Sequence, residues 1–128
     1  MKKYILPVVF LLVSVQMLSQ TKKGQAEMIF KDTLHIFGVI WYDTEAVYEF
    51  TFKNTGKQPL IIEKVQSSCG CTVPKWGKEP VLPKQKDVIS VEYDSKKIGQ
   101  FQKTVKIYSN AINSPVTLLI IGEVKVTD

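Results

Sequence analysis

Residues 54–76 read NTGKQPLIIEKVQSSCGCTVPKW, a stretch that begins with a turn and ends with a tryptophan just after the only two cysteines of the chain. Asn54 and Gly56 both tolerate the positive φ angle that tight chain reversals need. The apolar run from Pro59 to Val65 does not alternate with polar residues, which is typical of a strand covered on both faces. The stretch therefore predicts a hairpin turn and then a central strand that leads into the cysteines.

Segments on both sides of this stretch alternate apolar and polar residues, as half-buried strands do. In residues 47–52, for example, Tyr48, Phe50 and Phe52 share one face of the predicted strand. Further strands are predicted at residues 26–30, 34–40, 88–93, 101–108 and 116–126. No helix is predicted. Short strands separated by turn residues predict an all-β fold, an immunoglobulin-like β-sandwich of about seven antiparallel strands, with a closed barrel as the alternative.

The start of the chain has a different composition. A basic beginning, an apolar run over residues 4–18 and the small residue Ser19 are typical of a secretory signal peptide. A membrane anchor is the alternative, but this run is shorter than the roughly 20 residues that a spanning helix needs. The predicted divisions are a signal peptide at 1–19, a flexible leader at 20–25 and the sandwich domain at 26–128. We therefore expect an exported protein, periplasmic or secreted, with no membrane span after the signal is removed.

The charge of the chain argues against one class of partner. All 17 basic residues are lysines, and 12 residues are acidic, so the net charge is +5. Removal of Lys2 and Lys3 with the signal peptide leaves 15 lysines and a net charge of +3. Nucleic-acid recognition relies on the planar guanidinium of arginine, so we expect no nucleic-acid partner. Lysines scattered in this way are typical of the solvated surface of a small domain.

The two cysteines are the residues best able to carry chemistry, and four interpretations stay open. On an extended strand the Cβ atoms of Cys69 and Cys71 would lie roughly 6 to 7 Å apart, so a disulfide between them requires a bend at Gly70. Such a bond closes a small ring and should be easy to reduce. The other interpretations are two packed thiols, a disulfide with another chain, and a metal site. We expect no cofactor; if a metal binds, monovalent copper suits two thiolates better than zinc, which needs four ligands.

Nothing in the sequence is typical of an enzyme. There is no glycine-rich phosphate loop, no pair of metal-binding histidines and no nucleophile elbow. The only histidine, His35, could pair with a cysteine as nucleophile and base, but a lone histidine is more often a packing or surface residue. From Val73 to Lys86, three prolines and a glycine predict an irregular loop that contains Trp76. Trp41 is also expected in a loop, and each indole either anchors a ligand or covers an end of the sandwich.

Four motifs of the chain resemble those of a known family. They are Phe52-Lys53-Asn54-Thr55-Gly56, Pro59-Leu60-Ile61-Ile62, Ser68-Cys69-Gly70-Cys71-Thr72 and Tyr108-Ser109-Asn110. Together they resemble the bacterial family of domains of unknown function numbered 1573, over nearly all of the predicted mature chain. That family resembles the immunoglobulin-like domains of major sperm protein, Hydin and cilium-associated proteins. The resemblance implies a binding or scaffold module, not an enzyme.

Three hypotheses for function follow. The first is an exported, non-catalytic module that presents the segment 69–76 and a sheet edge to a protein partner. Its candidate binding residues are Cys69, Gly70, Cys71 and Trp76. The second is a thiol-redox or copper-handling protein that uses Cys69 and Cys71. The third is glycan binding through Trp76 and Trp41.

Overall fold

The architecture is given by a computed structural model that describes residues 25–127. The predicted signal peptide and residues 20–24 of the predicted leader lie outside this range. The described residues form eight strands and no helix, and therefore no helix that could cross a membrane. The strands are β1 (Met28–Phe30), β2 (Leu34–Trp41), β3 (Val47–Asn54), β4 (Ile62–Ser67), β5 (Thr72–Trp76), β6 (Lys86–Tyr93), β7 (Gly99–Ser109) and β8 (Val116–Lys125).

The eight strands form two four-stranded sheets with the core between them. The first sheet has the order β1-β3-β6-β5 and the second the order β2-β8-β7-β4. Neighbouring strands run antiparallel except β2 and β8, which are parallel. The all-β, immunoglobulin-like sandwich predicted from the sequence is confirmed. Two details differ, because the structure adds β5 to the seven predicted strands and contains this one parallel pair.

Side-chain alternation decides what fills the core, as predicted. Phe50 and Phe52 of β3 are each 1 % exposed, whereas Glu49 between Tyr48 and Phe50 faces solvent. Phe50 lies opposite Ile89 of β6, which is fully buried. The second sheet contributes the fully buried side chains Val105, Ile107, Leu118, Ile120 and Val124. Each such side chain stabilises the fold by about 1.5 to 3 kcal/mol through removal of its apolar surface from water.

The predicted hairpin after Phe52 is wrong. β3 and β4 belong to different sheets, so the turn that begins at Asn54 marks a crossover. Within this crossover, Leu60 forms an isolated bridge with Val81. A turn signal shows where the chain reverses, but it does not show which strand the chain will pair with next.

The predicted central strand is also wrong, because β4 lies at the edge of the second sheet. Ile61, just before it, is 49 % exposed, whereas Leu60 is fully buried. The pairing of β4 with β7 is irregular between Ile62 and Lys64. The apolar run therefore contains a buried loop residue, Leu60, followed by the start of an edge strand. In the sequence these two parts cannot be distinguished from a single strand covered on both faces.

The segment predicted as an irregular loop from Val73 to Lys86 begins with strand β5, which ends at Trp76. The N–H of Asp94 donates to the carbonyl oxygen of Cys71, so the neighbouring pair Thr72 and Tyr93 is not hydrogen-bonded. Pro74, two residues along, is therefore in a position whose nitrogen faces the open edge. A proline is tolerated there because no sheet hydrogen bond is lost.

Asn54 connects four parts of the chain through its buried side chain. Its Oδ1 accepts hydrogen bonds from the N–H groups of Gly56 (3.0 Å) and Glu27 (3.3 Å). Its Nδ2 donates to the carbonyl oxygens of Gln58 (2.8 Å) and Val81 (2.9 Å). Because the side chain is 0 % exposed, water cannot replace these bonds. The asparagine does more than favour a turn, which is all that its sequence context predicts.

Two further motif residues have structural roles. A Cβ atom at position 56 would overlap the carbonyl oxygen of Gln25 and lie 2.6 Å from the Cα atom of Ala26, so only glycine fits. Asn110 accepts a hydrogen bond from the N–H of Ile61 (2.8 Å) and donates to the carbonyl oxygen of Pro59 (2.9 Å). These residues hold the crossover in place. The motifs that contain Asn54 and Gly56, Pro59, and Asn110 therefore have, at least in part, a structural role.

Candidate functional site

The cysteines lie in the turn between β4 and β5, where the chain passes from the second sheet to the first. Cys69 and Cys71 are joined by a disulfide bond, with their Cα atoms 5.3 Å apart. The turn bends at Gly70, and the N–H of Thr72 donates to the carbonyl oxygen of Cys69 (3.3 Å). The two cysteines therefore lie in a bent turn and not on an extended strand. The large Cβ–Cβ distance predicted for a strand does not occur here, and the disulfide can form.

Backbone hydrogen bonds hold this turn on both sides. The N–H of Ser68 donates to the carbonyl oxygen of Thr104 on β7 (2.9 Å), and the N–H of Thr104 donates to the hydroxyl oxygen of Ser68 (3.1 Å). On the other side the N–H of Asp94, just after β6, donates to the carbonyl oxygen of Cys71 (2.8 Å). The position of the turn is therefore determined by contacts that do not involve the sulfur atoms.

The disulfide opens into a surface depression of about 500 Å³. Besides the cysteines and Gly70, its lining residues are Tyr93, Asp94, Lys97 and Lys103. Burial, and secondarily the charge of Asp94, raise the pKa of Tyr93, so its hydroxyl stays protonated. The hydroxyl oxygen of Thr72 lies 3.7 Å from Cys69 Sγ and 4.0 Å from Cys71 Sγ.

Lys103 occupies an unusual place in this depression. It lies between Phe101 and Val105 on β7, at a position whose side chain faces the same way as these two buried residues. The sequence shows it as a break in the apolar face of the strand. The structure explains the break, because this end of the inner face opens into the depression beside the disulfide.

The two tryptophans lie on opposite edges of the sandwich. Trp76 ends β5 and packs partly against the core, with Lys78 Nζ 3.8 Å from the centre of its ring. Trp41 is not in a loop, since it ends β2, and it is 48 % exposed. The two indoles therefore cannot form one binding site for a single small glycan. Trp76 as a binding residue stays a prediction.

His35 and the cysteines do not form a nucleophile and base pair. His35 lies on β2, on the far side of the sandwich, and its ring stacks on Tyr48 at 3.6 Å and meets Phe37 edge-on at 4.6 Å. Burial lowers the pKa of His35, opposed by the charge of Asp32, so the imidazole is mainly neutral near pH 7. Residues 25–127 contain no group of three or more side chains suited to binding a metal.

The exposed edge at β2 was not found by sequence reasoning. Four apolar side chains on this strand face solvent: Leu34 (46 %), Ile36 (63 %), Val39 (48 %) and Trp41 (48 %). Strict alternation places Val39 on the opposite face from Ile36, but the pairing of β2 with β8 shifts between Ile36 and Gly38. Gly38 has a φ of +70°, as glycine in a β-bulge often does. A glycine within a predicted strand is the signal that could have indicated this bulge.

The other three edges of the sheets carry features that oppose strand pairing. β1 has only three residues, β4 carries Glu63 and Lys64, and β5 carries Pro74 and Lys75. By contrast, β2 has eight residues and contains no proline, lysine or carboxylate, and the bulge at Gly38 is the one feature of this kind in it. On the outer face of the same sheet lies a depression of about 580 Å³, lined partly by Ile36, Val39, Gln102 and Ile121.

Reduction of the disulfide should have little effect on thermal stability. A bond between residues two apart encloses few residues and removes little entropy from the unfolded chain, and the turn keeps its backbone hydrogen bonds. We expect a mild reductant to lower the melting temperature by no more than about 3 °C. The measurement is a pair of melting curves on protein whose thiols are counted first. A drop of about 10 °C or more in oxidised material would show that the bond is structural.

Solved structures with the same fold have little sequence identity to this chain. A protein of unknown function from Porphyromonas gingivalis W83 has a TM-score of 0.70 at 13 % identity, over 81 % of this chain and 50 % of that one. PapD-like domain 7 of human CEP192 has a TM-score of 0.70 at 8 % identity, over 91 % and 97 %. The YadV chaperone has a TM-score of 0.55 at 9 % identity, over 77 % and 52 %. The chain thus spans about half the length of the first and third, and these likenesses show the fold alone.

Comparison with curated proteins found no similar sequence. At the level of families, the sequence pattern described as protein of unknown function (DUF1573) matches residues 28–124. This range extends from the first residue of β1 almost to the end of β8, and it includes the cysteine turn and the Asn54 crossover. The chain therefore belongs to the DUF1573 family.

Proposed function

We propose that the protein is an exported, non-catalytic binding module that pairs an extended segment of a protein partner with the edge of β2. The observation that carries the proposal is the row of exposed apolar side chains on an edge strand that lacks charge and proline. Such an edge offers unpaired N–H and C=O groups to a further strand. The YadV chaperone and the PapD-like domain of CEP192 have this fold, which is consistent with a binding role.

The chemistry of β2 defines the partner segment. It should be extended, apolar at alternate positions and free of charge opposite β2, because a charge placed against Ile36 and Val39 would lose its water without gaining a partner. Its side chains on the outer face of the sheet would lie beside Ile36 and Val39, which line the near side of the depression on that face. The segment Cys69–Trp76 lies on the opposite edge, where Pro74 opposes strand pairing. This segment is a candidate for a second, separate contact.

Two isoleucines of equal exposure allow a matched test. Ile36 is 63 % exposed on β2, and Ile98 is 64 % exposed in the turn before β7. We expect Ile36→Lys to weaken binding of the partner at least about tenfold, and Ile98→Lys to change it less than about twofold. The partner is captured with the wild-type domain from the exported proteins of the source cells, identified by mass spectrometry, purified and titrated against each variant.

The double variant Cys69→Ser, Cys71→Ser completes this test. If the edge of β2 forms the contact, this variant binds the purified partner as tightly as wild type does. A partner that binds Ile36→Lys and wild type equally, or that is lost only when the cysteines are replaced, would contradict the proposal.

A further inference from the structure

We propose that the Cys69–Cys71 disulfide is a thiol–disulfide exchange site that oxidises the dithiol of a protein or peptide. The inference is independent of the binding function proposed for β2, because the disulfide lies on the opposite edge of the sandwich. It rests on three features of the cysteine turn: access to the sulfur atoms, a fold that does not depend on the bond, and two lysines beside it.

The sulfur atoms can be reached by another molecule. Cys69 and Cys71 are half-buried, and both line the open depression of about 500 Å³. At Gly70, between them, no atom outside residues 69–71 lies within 4 Å of the place that a Cβ would occupy, and Gly70 is exposed, so the tip of the turn is open to solvent. Structural disulfides resist reduction, whereas exposed disulfides are more easily reduced.

Two lysines favour the reduced state of the pair. Lys97 and Lys103 line the depression, and within residues 25–127 neither forms an ion pair with a carboxylate. The one carboxylate of the depression, Asp94, accepts a hydrogen bond from the N–H of Lys96. The depression that the disulfide opens into is therefore lined by two lysines and one carboxylate. Cations lower the pKa of nearby thiols and stabilise thiolates, which makes the disulfide a stronger oxidant. The hydroxyl of Thr72 can donate a hydrogen bond to either sulfur.

The surroundings of the two sulfurs indicate the order of events. Cys71 packs against the core and Cys69 does not, so Cys69 Sγ is the atom that an incoming thiolate attacks. A mixed disulfide forms between the substrate and Cys69, and the Cys69–Cys71 bond breaks to release the Cys71 thiolate near the lysines. The second thiolate of the substrate then attacks the mixed disulfide and releases Cys69. The substrate loses two electrons and two protons and becomes a disulfide, and the domain gains them as two thiols.

The test is the equilibrium between the purified domain and dithiothreitol, the dithiol probe. Mixtures of reduced and oxidised dithiothreitol at pH 8.5 are quenched by alkylation, and the fraction of reduced domain is measured by mass. We expect Lys97→Gln with Lys103→Gln to make the domain about tenfold harder to reduce, which corresponds to about 30 mV for two electrons. This difference should shrink at 1 M salt, because salt screens the charges.

Three controls separate charge from structure. Lys103→Arg keeps the charge and should behave as wild type, and Lys97→Gln alone, at an exposed position, should give about a threefold effect. Lys86→Gln, at the opposite end of β6 from Tyr93, should have no effect. The proposal is overturned if the double lysine variant and wild type agree within twofold, if the difference does not respond to salt, or if wild type is reduced only under conditions that unfold it.

Discussion

Phe50→Ala is expected to lower the free energy of unfolding by about 3 to 5 kcal/mol. The side chain is 1 % exposed and contacts Tyr48, whose ring centre is 4.8 Å away, so truncation leaves a cavity between the two sheets. The surrounding strands cannot close such a cavity, because each is held in register by its neighbours, as β3 is by β6 at Ile89. The measurement is urea unfolding of wild type and variant at equilibrium.

The neighbouring residue provides the control. Glu49→Ala changes an exposed side chain on the other face of the same strand, and should alter the free energy of unfolding by no more than about 0.5 kcal/mol. Equal effects of the two substitutions would contradict the assignment of faces on β3. With a stability of about 5 to 15 kcal/mol for a domain of this kind, Phe50→Ala removes a large part of the total.

Asn54→Asp is expected to have an effect of similar size, about 3 to 5 kcal/mol, although it changes one atom. The carboxylate has no hydrogen to donate to the carbonyl oxygens of Gln58 and Val81, which lie 2.8 and 2.9 Å from Nδ2. It would place a charge next to these oxygens at a site with no exposed surface. The variant should therefore gain stability as the pH falls and the carboxyl becomes protonated, which is the opposite of a solvated aspartate at a surface. Unfolding at pH 7 and at pH 4, relative to wild type, checks both expectations.

Asn110→Asp is the matched control for this substitution. Asn110 makes the same kind of bonds, to the N–H of Ile61 and the carbonyl oxygen of Pro59, but it is exposed. Water can solvate the carboxylate there, so we expect a loss of about 1 kcal/mol or less. If the two substitutions cost the same, the burial of Asn54 is not the cause of its importance.

The sequence alone determined where most strands lie and which of their side chains are buried. The alternation that places Phe50 and Phe52 in the core and Glu49 outside is a local property of an extended chain, so it can be identified without knowledge of the partners of the strand. The same holds for the break that Lys103 makes in the apolar face of β7. Motif resemblance to DUF1573 was sufficient for the fold class and for membership of the family.

Only the tertiary structure decided how these strands are arranged in two sheets and which side chains lie together at each sheet edge. The crossover at Asn54 depends on a hydrogen bond to Val81, and the place of the cysteine turn depends on Thr104, which is far from Ser68 in the chain. The shift at Gly38 that exposes Ile36 and Val39 together depends on pairing with β8. Strand pairing and register are set by the energies of contacts between residues that are distant in the sequence. The local alternation of apolar and polar residues does not depend on these contacts and so cannot predict the pairing. Both the open edge of β2 and the lysines beside the disulfide are consequences of such contacts.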